Sequence, residues 1–116
     1  MIFRGIARKF SLENEGQYDT IGEFWDEMAL RYGLENLVGL GYEWSGGEIS
    51  YAIGLKAGDI DGCNLTIELP DSGWTLFSGR TDDLKEIYNE IYKVGPLKYE
   101  IETFDDEGGC LIKYYR

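Results

Sequence analysis

Two stretches of the sequence repeat apolar residues at helical spacing, and each carries them on one face only. The first stretch is Ile21–Tyr32, which ends at Gly33, and the second is Leu84–Tyr92, which ends at Gly95–Pro96. A helix with one apolar face must bury that face against another layer of structure. The stretches around both helices alternate apolar and polar residues, as half-buried strands do. We therefore predict an α+β fold in which both helices pack on one face of an antiparallel sheet.

The two helices occupy matching places in two similar halves of the chain, about residues 1–56 and 63–116. Each half reads as strand, capped helix, strand, Gly-Gly turn and strand, and the first helix is predicted to begin at the capping box Thr20–Glu23. We predict one domain, residues 1–116, built from duplicated βαββ units with a pocket between the repeats. The predicted strands are Met1–Phe10, Leu37–Trp44, Ile49–Lys56, an extra Cys63–Leu69, Trp74–Arg80, Lys98–Asp105 and Cys110–Tyr115.

The charge of the chain limits the partners that it can have. Lys and Arg number 11 against 22 Asp and Glu, which gives a net charge of -11. Such a surface repels phosphates and anionic lipid headgroups, so we expect no direct nucleic-acid or membrane binding. The same charge attracts cationic ligands or a basic protein partner, although in many acidic domains it serves only solubility.

The lack of His and the small number of Cys exclude several kinds of catalytic and metal site. The chain has no His, which removes the commonest metal ligand and the usual base for a Ser or Cys nucleophile. Cys63 and Cys110 are too few for a disulfide scaffold, and we expect both to be reduced core thiols. No stretch reaches the roughly 20 apolar residues of a membrane span. We predict a cytoplasmic protein with no cofactor and no metal.

One short strand near the C-terminus brings acids and an aromatic ring to one face. In Tyr99–Phe104 the alternation of a strand places Glu100, Glu102 and Phe104 together. Aromatic residues make up 15% of the chain, and rings with a polar tip suit pockets for flat ligands. The alternatives are a solvated edge strand and a core that is rich in rings. Periodicity assigns four rings to core or rim packing: Tyr42, Trp44, Tyr88 and Tyr92.

Four segments in order resemble the GyrI-like effector-binding domain, the small-molecule module of AraC-type and MerR-type regulators and of stand-alone gyrase-inhibitor-like proteins. They cover nearly the whole chain, and none is specific alone. The segments are Ile21–Glu27 (IGEFWDE), Tyr51–Leu55 (YAIGL), Ile67–Pro70 with Gly73–Phe77 (IELP, GWTLF), and Ile101–Phe104 (IETF).

The resemblance implies a duplicated strand–helix–strand–strand module with a ligand pocket in the groove between its repeats. By position, Glu102 matches the family's buried pocket acid, and if the alignment slips, Lys113 takes that place instead. The aromatic ligand contacts implied in the same way are Trp25, Tyr51 and Trp74. Phe104 stands where the family prefers Tyr, so this position has no hydroxyl.

These features predict a stand-alone sensor or sequestering domain that binds hydrophobic or aromatic compounds, including cations. One alternative is a protein–protein inhibitor of a DNA enzyme such as gyrase, which the acidic surface permits. A second alternative, implied by the resemblance, is a hydrolase of small electrophiles, with Glu102 as general base and Tyr51 as hydrogen-bond donor. Neither alternative involves metal or cofactor.

Overall fold

A single antiparallel sheet of seven strands forms the centre of the computed structural model, which describes residues 1–116. Both helices pack against this sheet, so the predicted α+β fold is confirmed. The elements in chain order are β1 (Ile2–Ser11), α1 (Gln17–Tyr32), β2 (Leu37–Ser45), β3 (Glu48–Leu55), β4 (Leu65–Glu68), β5 (Thr75–Arg80), α2 (Leu84–Val94), β6 (Tyr99–Phe104) and β7 (Gly109–Tyr115).

The strand order is β4-β1-β3-β2-β6-β7-β5. The first half of the fold consists of β1, α1, β2 and β3, and the second half consists of β5, α2, β6 and β7. The halves meet where β2 pairs with β6, and each half has its first strand on the outer side. The extra strand β4 lies beside β1 at one edge. The halves thus share a connectivity, while their origin by duplication stays a prediction.

Helix α1 begins earlier than its sequence predicts. Gln17 is its first residue, so Thr20 lies inside the helix, where its hydroxyl donates to the Gly16 carbonyl at 3.1 Å. The predicted capping box at Thr20 is therefore wrong, because this hydroxyl bonds backward along the helix rather than to amides ahead of it. The end at Gly33 is confirmed: its φ is +87° and its amide donates to the Ala29 carbonyl.

Three apolar clusters hold the layers together. On the helix side, one cluster surrounds α1 and a second surrounds α2, and we call them the α1 cluster and the α2 cluster. A third, the opposite-face cluster, lies on the other side of the sheet. Their buried members are Phe24, Trp25, Met28, Leu37, Tyr51, Ile53 and Ile60 (α1 cluster); Ile87, Tyr88, Ile91, Leu97, Cys110 and Ile112 (α2 cluster); and Phe3, Leu40, Tyr42, Ala52, Leu69 and Ile101 (opposite-face cluster).

The two cysteines differ in their surroundings. Cys110 is buried in the α2 cluster as expected, whereas Cys63 is exposed, so the prediction of a core thiol is wrong for Cys63. Cys63 lies in the connection before β4, where its thiol donates to the Leu65 carbonyl. Neither helix has the length and apolar character that a membrane crossing needs.

Candidate functional site

A cavity of about 960 Å³ opens on the helix side of the sheet. Residues of both helices line it, and its lining includes the inward faces of β3 and β6. Four of the five residues predicted to bind a ligand line this cavity together: Trp25, Tyr51, Glu102 and Phe104.

The fifth predicted residue, Trp74, lies elsewhere. Its ring packs against the opposite-face cluster, with its centroid 6.2 Å from that of Tyr99 and 5.5 Å from that of Tyr115. Its indole N–H donates to the Pro70 carbonyl at 2.8 Å. Trp74 precedes the first residue of β5, so strand alternation does not set its direction. The structure therefore separates Trp74 from the other four residues by the thickness of the sheet.

Glu102 is held in place by a chain of side-chain donors. The hydroxyl of Tyr51 donates to Oε1 of Glu102, and the hydroxyl of Tyr88 donates to Oε2 at 2.8 Å. Trp25 donates its indole N–H to the Tyr51 oxygen at 2.9 Å. All four side chains are buried. The hydrogen bonds fix one orientation of the carboxylate, because each of its oxygens has a donor on a rigid ring.

The pairing of β6 with its neighbours places Glu102 in this position. Glu102 pairs with Gly39 of β2 on one side and with Ile112 of β7 on the other. Lys113 pairs instead with Ile101, whose side chain lies in the opposite-face cluster. In this register Glu102, and not Lys113, reaches the cavity.

Glycines of β2 make room beneath the site. A Cβ atom at Gly39 would lie 2.2 Å from the Tyr51 hydroxyl oxygen and 2.6 Å from the Trp25 ring. Contacts this short do not occur between real side chains, so only glycine allows both rings to cross the strand here. The glycine explains how two large rings and a carboxylate fit over adjacent strands.

Phe104 connects the two sides of the cavity. Its ring meets that of Trp25 edge to face, with centroids 4.8 Å apart and planes at 90°. Phe104 packs against both the α1 cluster and the α2 cluster. Without a hydroxyl it contributes apolar surface and the electron-rich face of a ring, but no hydrogen bond.

Several residues that line the cavity are not predicted from the sequence as ligand contacts. Glu100 shares its lining with Glu102, and α2 adds Tyr88 and Tyr92. The alternation of β6 and the i, i+4 spacing of the two tyrosines were the available signals. Tyr88 is both core, as predicted, and a cavity residue, because it lies at the boundary between the two.

Trp44 reaches the cavity through an irregularity of β2. Tyr42 and Trp44 would share a face in a regular strand. The pairing of β2 with β3 shifts between Tyr42 and Ser45, and the intervening Glu43 has a φ of +51°. As a result Tyr42 packs in the opposite-face cluster, while Trp44 packs against the α2 cluster and lines the cavity.

The electrostatics of the cavity are strongly one-sided. Its lining contains six carboxylates and one ammonium, that of Lys85. Lys85 is already paired with Glu15, 3.0 Å away, outside the lining. The six acids are Asp26, Asp82, Glu100, Glu102, Asp105 and Asp106. An organic cation would find compensating charge here and little opposing charge.

Burial changes the acid–base behaviour of the groups in this site. Loss of water raises the pKa of Glu102, while its hydrogen bonds from Tyr51 and Tyr88 oppose that rise. Burial raises the pKa of Glu100 well above its usual value, and the neighbouring Glu102 adds to the rise. Burial also raises the pKa of Tyr51 and Tyr88, so both stay protonated and keep donating.

Tyr18 lies at the α1 side of the same cavity. Burial, followed by the charge of Glu100, raises its pKa to about 12. Its ring also faces the ammonium of Lys85, 5.6 Å from the ring centroid. Tyr18 therefore presents a neutral phenol, which can donate or accept a hydrogen bond at neutral pH.

Comparison of the chain with protein-family models, with curated proteins and with solved structures gives no match.

Proposed function

We propose that this chain is a GyrI-like domain that binds hydrophobic aromatic compounds, organic cations among them, in the cavity between its halves. The observation that carries this proposal is the pair of buried carboxylates, each 4% exposed, in a cavity otherwise rich in aromatic rings. Buried carboxylates are costly unless a positive charge or a proton compensates them. Four of the aligned family positions also meet at this cavity, which supports the resemblance.

Aromatic rings add to the attraction for a flat cation. Trp25, Tyr51 and Phe104 line the cavity, and so do Tyr88 and Tyr92, whose rings stack on each other with centroids 5.5 Å apart. A cation over such a ring gains about 0.5–2 kcal/mol, with the larger values in dry sites. Charge and rings together favour a cationic aromatic ligand over a neutral one of the same shape.

A matched pair of ligands tests this proposal. N-methylquinolinium carries a fixed positive charge, and quinoline has nearly the same shape but is neutral at pH 7.5. We expect calorimetry to show binding of N-methylquinolinium, weakened about tenfold in Glu102→Gln by loss of a charged partner. Glu68→Gln is the control. Glu68 is exposed on β4, so this substitution removes the same charge at a site outside the cavity.

The outcome can also contradict the proposal. Equal affinity of N-methylquinolinium for wild type and Glu102→Gln would exclude Glu102 as the recognition acid. Equal weakening by Glu68→Gln would show that the overall charge, rather than the cavity, attracts the ligand. If the protein binds neither compound, aromatic-cation binding is excluded as its function.

Hydrolysis of small electrophiles is the second candidate, and the direct contact between Tyr51 and Glu102 favours it. An acid with a raised pKa beside a phenol can move a proton near neutral pH. We place it second because the Tyr51 hydroxyl already donates to Glu102 and accepts from Trp25. Hydrolysis of styrene oxide that is lost in Glu102→Gln would support this candidate, and hydrolysis that persists in the variant would exclude Glu102 as the base.

A further inference from the structure

Glu100 differs from Glu102 in how its carboxylate is bonded. Its Oε2 accepts a hydrogen bond from the Tyr92 hydroxyl at 3.0 Å, whereas no donor bonds directly to its Oε1. The Tyr88 hydroxyl, which donates to Glu102, lies near enough to Glu100 to oppose the rise of its pKa. Both oxygens of Glu102, by contrast, accept from a tyrosine. Glu100 is 4% exposed as a residue and lines the cavity, so its Oε1 can meet a molecule that occupies the cavity. A carboxylate oxygen that lines a cavity and has no protein donor is able to accept a hydrogen bond from a ligand there.

The strand opposite makes a separate place for this acid. Glu100 pairs with Gly41 of β2, as Glu102 pairs with Gly39. A Cβ atom at Gly41 would lie 2.7 Å from both Cγ and Oε1 of Glu100, so any other residue would displace the carboxylate. The Glu100 carboxylate therefore occupies the space that Gly41 leaves free, whereas the space over Gly39 is filled by the Tyr51 and Trp25 side chains that hold Glu102.

A further acceptor in the lining is also unsatisfied. Oε1 of Gln17, in the first turn of α1, is buried and has no hydrogen-bond partner. A buried carbonyl oxygen without a donor is unfavourable, because it has lost its hydrogen bonds to water. The cavity therefore offers Oε1 of Gln17 and Oε1 of Glu100 as acceptors in addition to Glu102. A ligand with a single ammonium group would not use all of them.

We propose that the cavity selects organic dications, such as aromatic diamines, with one positive group at Glu102 and the other at Glu100. This inference rests on the proposed function, since it assumes that the cavity binds cations. Residues two apart on a strand are about 6.5–7 Å apart, which sets the spacing of the two groups. A monocation compensates one of the two acids and leaves the other to be held by a proton, whereas a dication compensates both as carboxylates. The one ammonium in the lining, Lys85, is paired with Glu15 and does not compete.

Two isosteric amines test this selectivity. Meta-xylylenediamine carries two ammonium groups on one ring, and meta-ethylbenzylamine replaces one of them by a methyl group. In NMR titrations we expect wild type to bind the diamine about tenfold or more tightly than the monoamine. In Glu100→Gln the diamine should fall to the affinity of the monoamine, which itself should not change. Glu68→Gln, which loses the same charge from an exposed site, should keep the preference.

Three results would overturn the inference. The first is a wild-type protein that binds both amines equally. The second is a Glu100→Gln protein that keeps the preference, and the third is a Glu68→Gln protein that loses it as fully as Glu100→Gln. Binding of the monoamine without a diamine preference would remove this inference alone. Binding of neither amine would remove both the inference and the cation-binding function on which it rests.

A second measurement needs no variant, and it serves if Glu100→Gln does not fold. In the wild-type complex, the methylene protons of the diamine should show nuclear Overhauser effects to the Tyr92 ring and to the Tyr51 ring. The hydroxyls of Tyr92 and Tyr51 donate to Glu100 and Glu102 respectively. Contacts to the Tyr51 ring alone would contradict a second position at Glu100.

Discussion

At the scale of single residues, the two tyrosines of α2 perform the same task in different surroundings. Tyr88 donates to Glu102 inside the protein, where its side chain is 3% exposed. Tyr92 donates to Glu100 one turn later, where it is 36% exposed. Water can replace the second hydrogen bond but not the first. The two tyrosines therefore allow a buried hydrogen bond to a carboxylate to be compared with a partly solvated one in the same protein.

We predict that Tyr88→Phe destabilises the fold more than Tyr92→Phe does. Removing the Tyr88 hydroxyl leaves Oε2 of Glu102 without a donor, which costs about 2 kcal/mol in a buried site. Removing the Tyr92 hydroxyl should cost well under half of that, because the site is open to water. Urea unfolding followed by tryptophan fluorescence measures both values. Equal costs would show that the Tyr88 hydrogen bond is not specially protected.

Residue-level prediction from the sequence works where a regular element fixes the direction of a side chain. Glu102 and Phe104 alternate along β6, and Trp25 lies on the apolar face of α1, so all three were predictable. Trp74 was not, because it follows a turn in which Gly73 has a φ of +92°. The importance of Glu100 was also hidden, since a strand pattern shows that two acids share a face but not which oxygen lacks a donor.

At the scale of elements, the start of α1 and the bulge in β2 explain why Tyr18 and Trp44 line the cavity. The helix begins at Gln17, inside a stretch that reads as polar loop, and this extra turn brings Tyr18 to the cavity. The bulge turns Trp44 to the same side. The bulge could not be predicted, because Glu43 is not a residue that ordinarily marks a positive φ. The helix start could not be predicted either, because no side chain caps it. The seam between two helices, by contrast, followed directly from their paired apolar stripes.

A glycine inside α1 gives a prediction at this scale. Gly22 lies in the helix, and a Cβ atom there would meet nothing within 4 Å. Gly22→Ala should therefore stabilise the fold by about 0.5–1 kcal/mol, because alanine loses less backbone entropy in a helix. The matched change Gly33→Ala, at a φ of +87°, should destabilise it. Thermal unfolding measures both, and a Gly22→Ala protein that melts below wild type would contradict the prediction.

At the scale of the whole molecule, two buried acids make the stability of this strongly negative chain depend on pH. The net charge is -11, and two of the 22 acids are buried side by side. Burial raises the pKa of both Glu100 and Glu102 above the ordinary 4.5. The folded chain thus holds protons that the unfolded chain has already released.

We predict that the free energy of unfolding falls as the pH rises from about 5 through these raised pKa values. The sign follows because the folded state binds more protons than the unfolded state in this range. Glu100→Gln removes one such group, so its stability should fall less steeply than that of wild type. Glu68→Gln, which alters an exposed acid, should keep the wild-type slope. Urea unfolding at a series of pH values measures the slopes, and equal slopes for wild type and Glu100→Gln would contradict the assignment.

The order of the strands was only partly accessible from the sequence. Two capped helices at matching positions, each followed by a glycine-turn hairpin, indicate two similar halves, and the structure shows halves of the same connectivity. The place of β4 beside β1 at the sheet edge was not predictable. It depends on hydrogen bonds between residues about 60 apart, for which the local pattern carries no signal.

The separation of the α1 and α2 clusters has a consequence for how occupancy of the cavity could be sensed. Phe104 is the apolar side chain that packs against both clusters, and the cavity fills the remaining space between them. A molecule bound there adds the packing that the two helices otherwise lack, so it should slow amide hydrogen exchange in both of them at once. Occupancy of the cavity would then change the rigidity of two whole helices rather than the position of a loop.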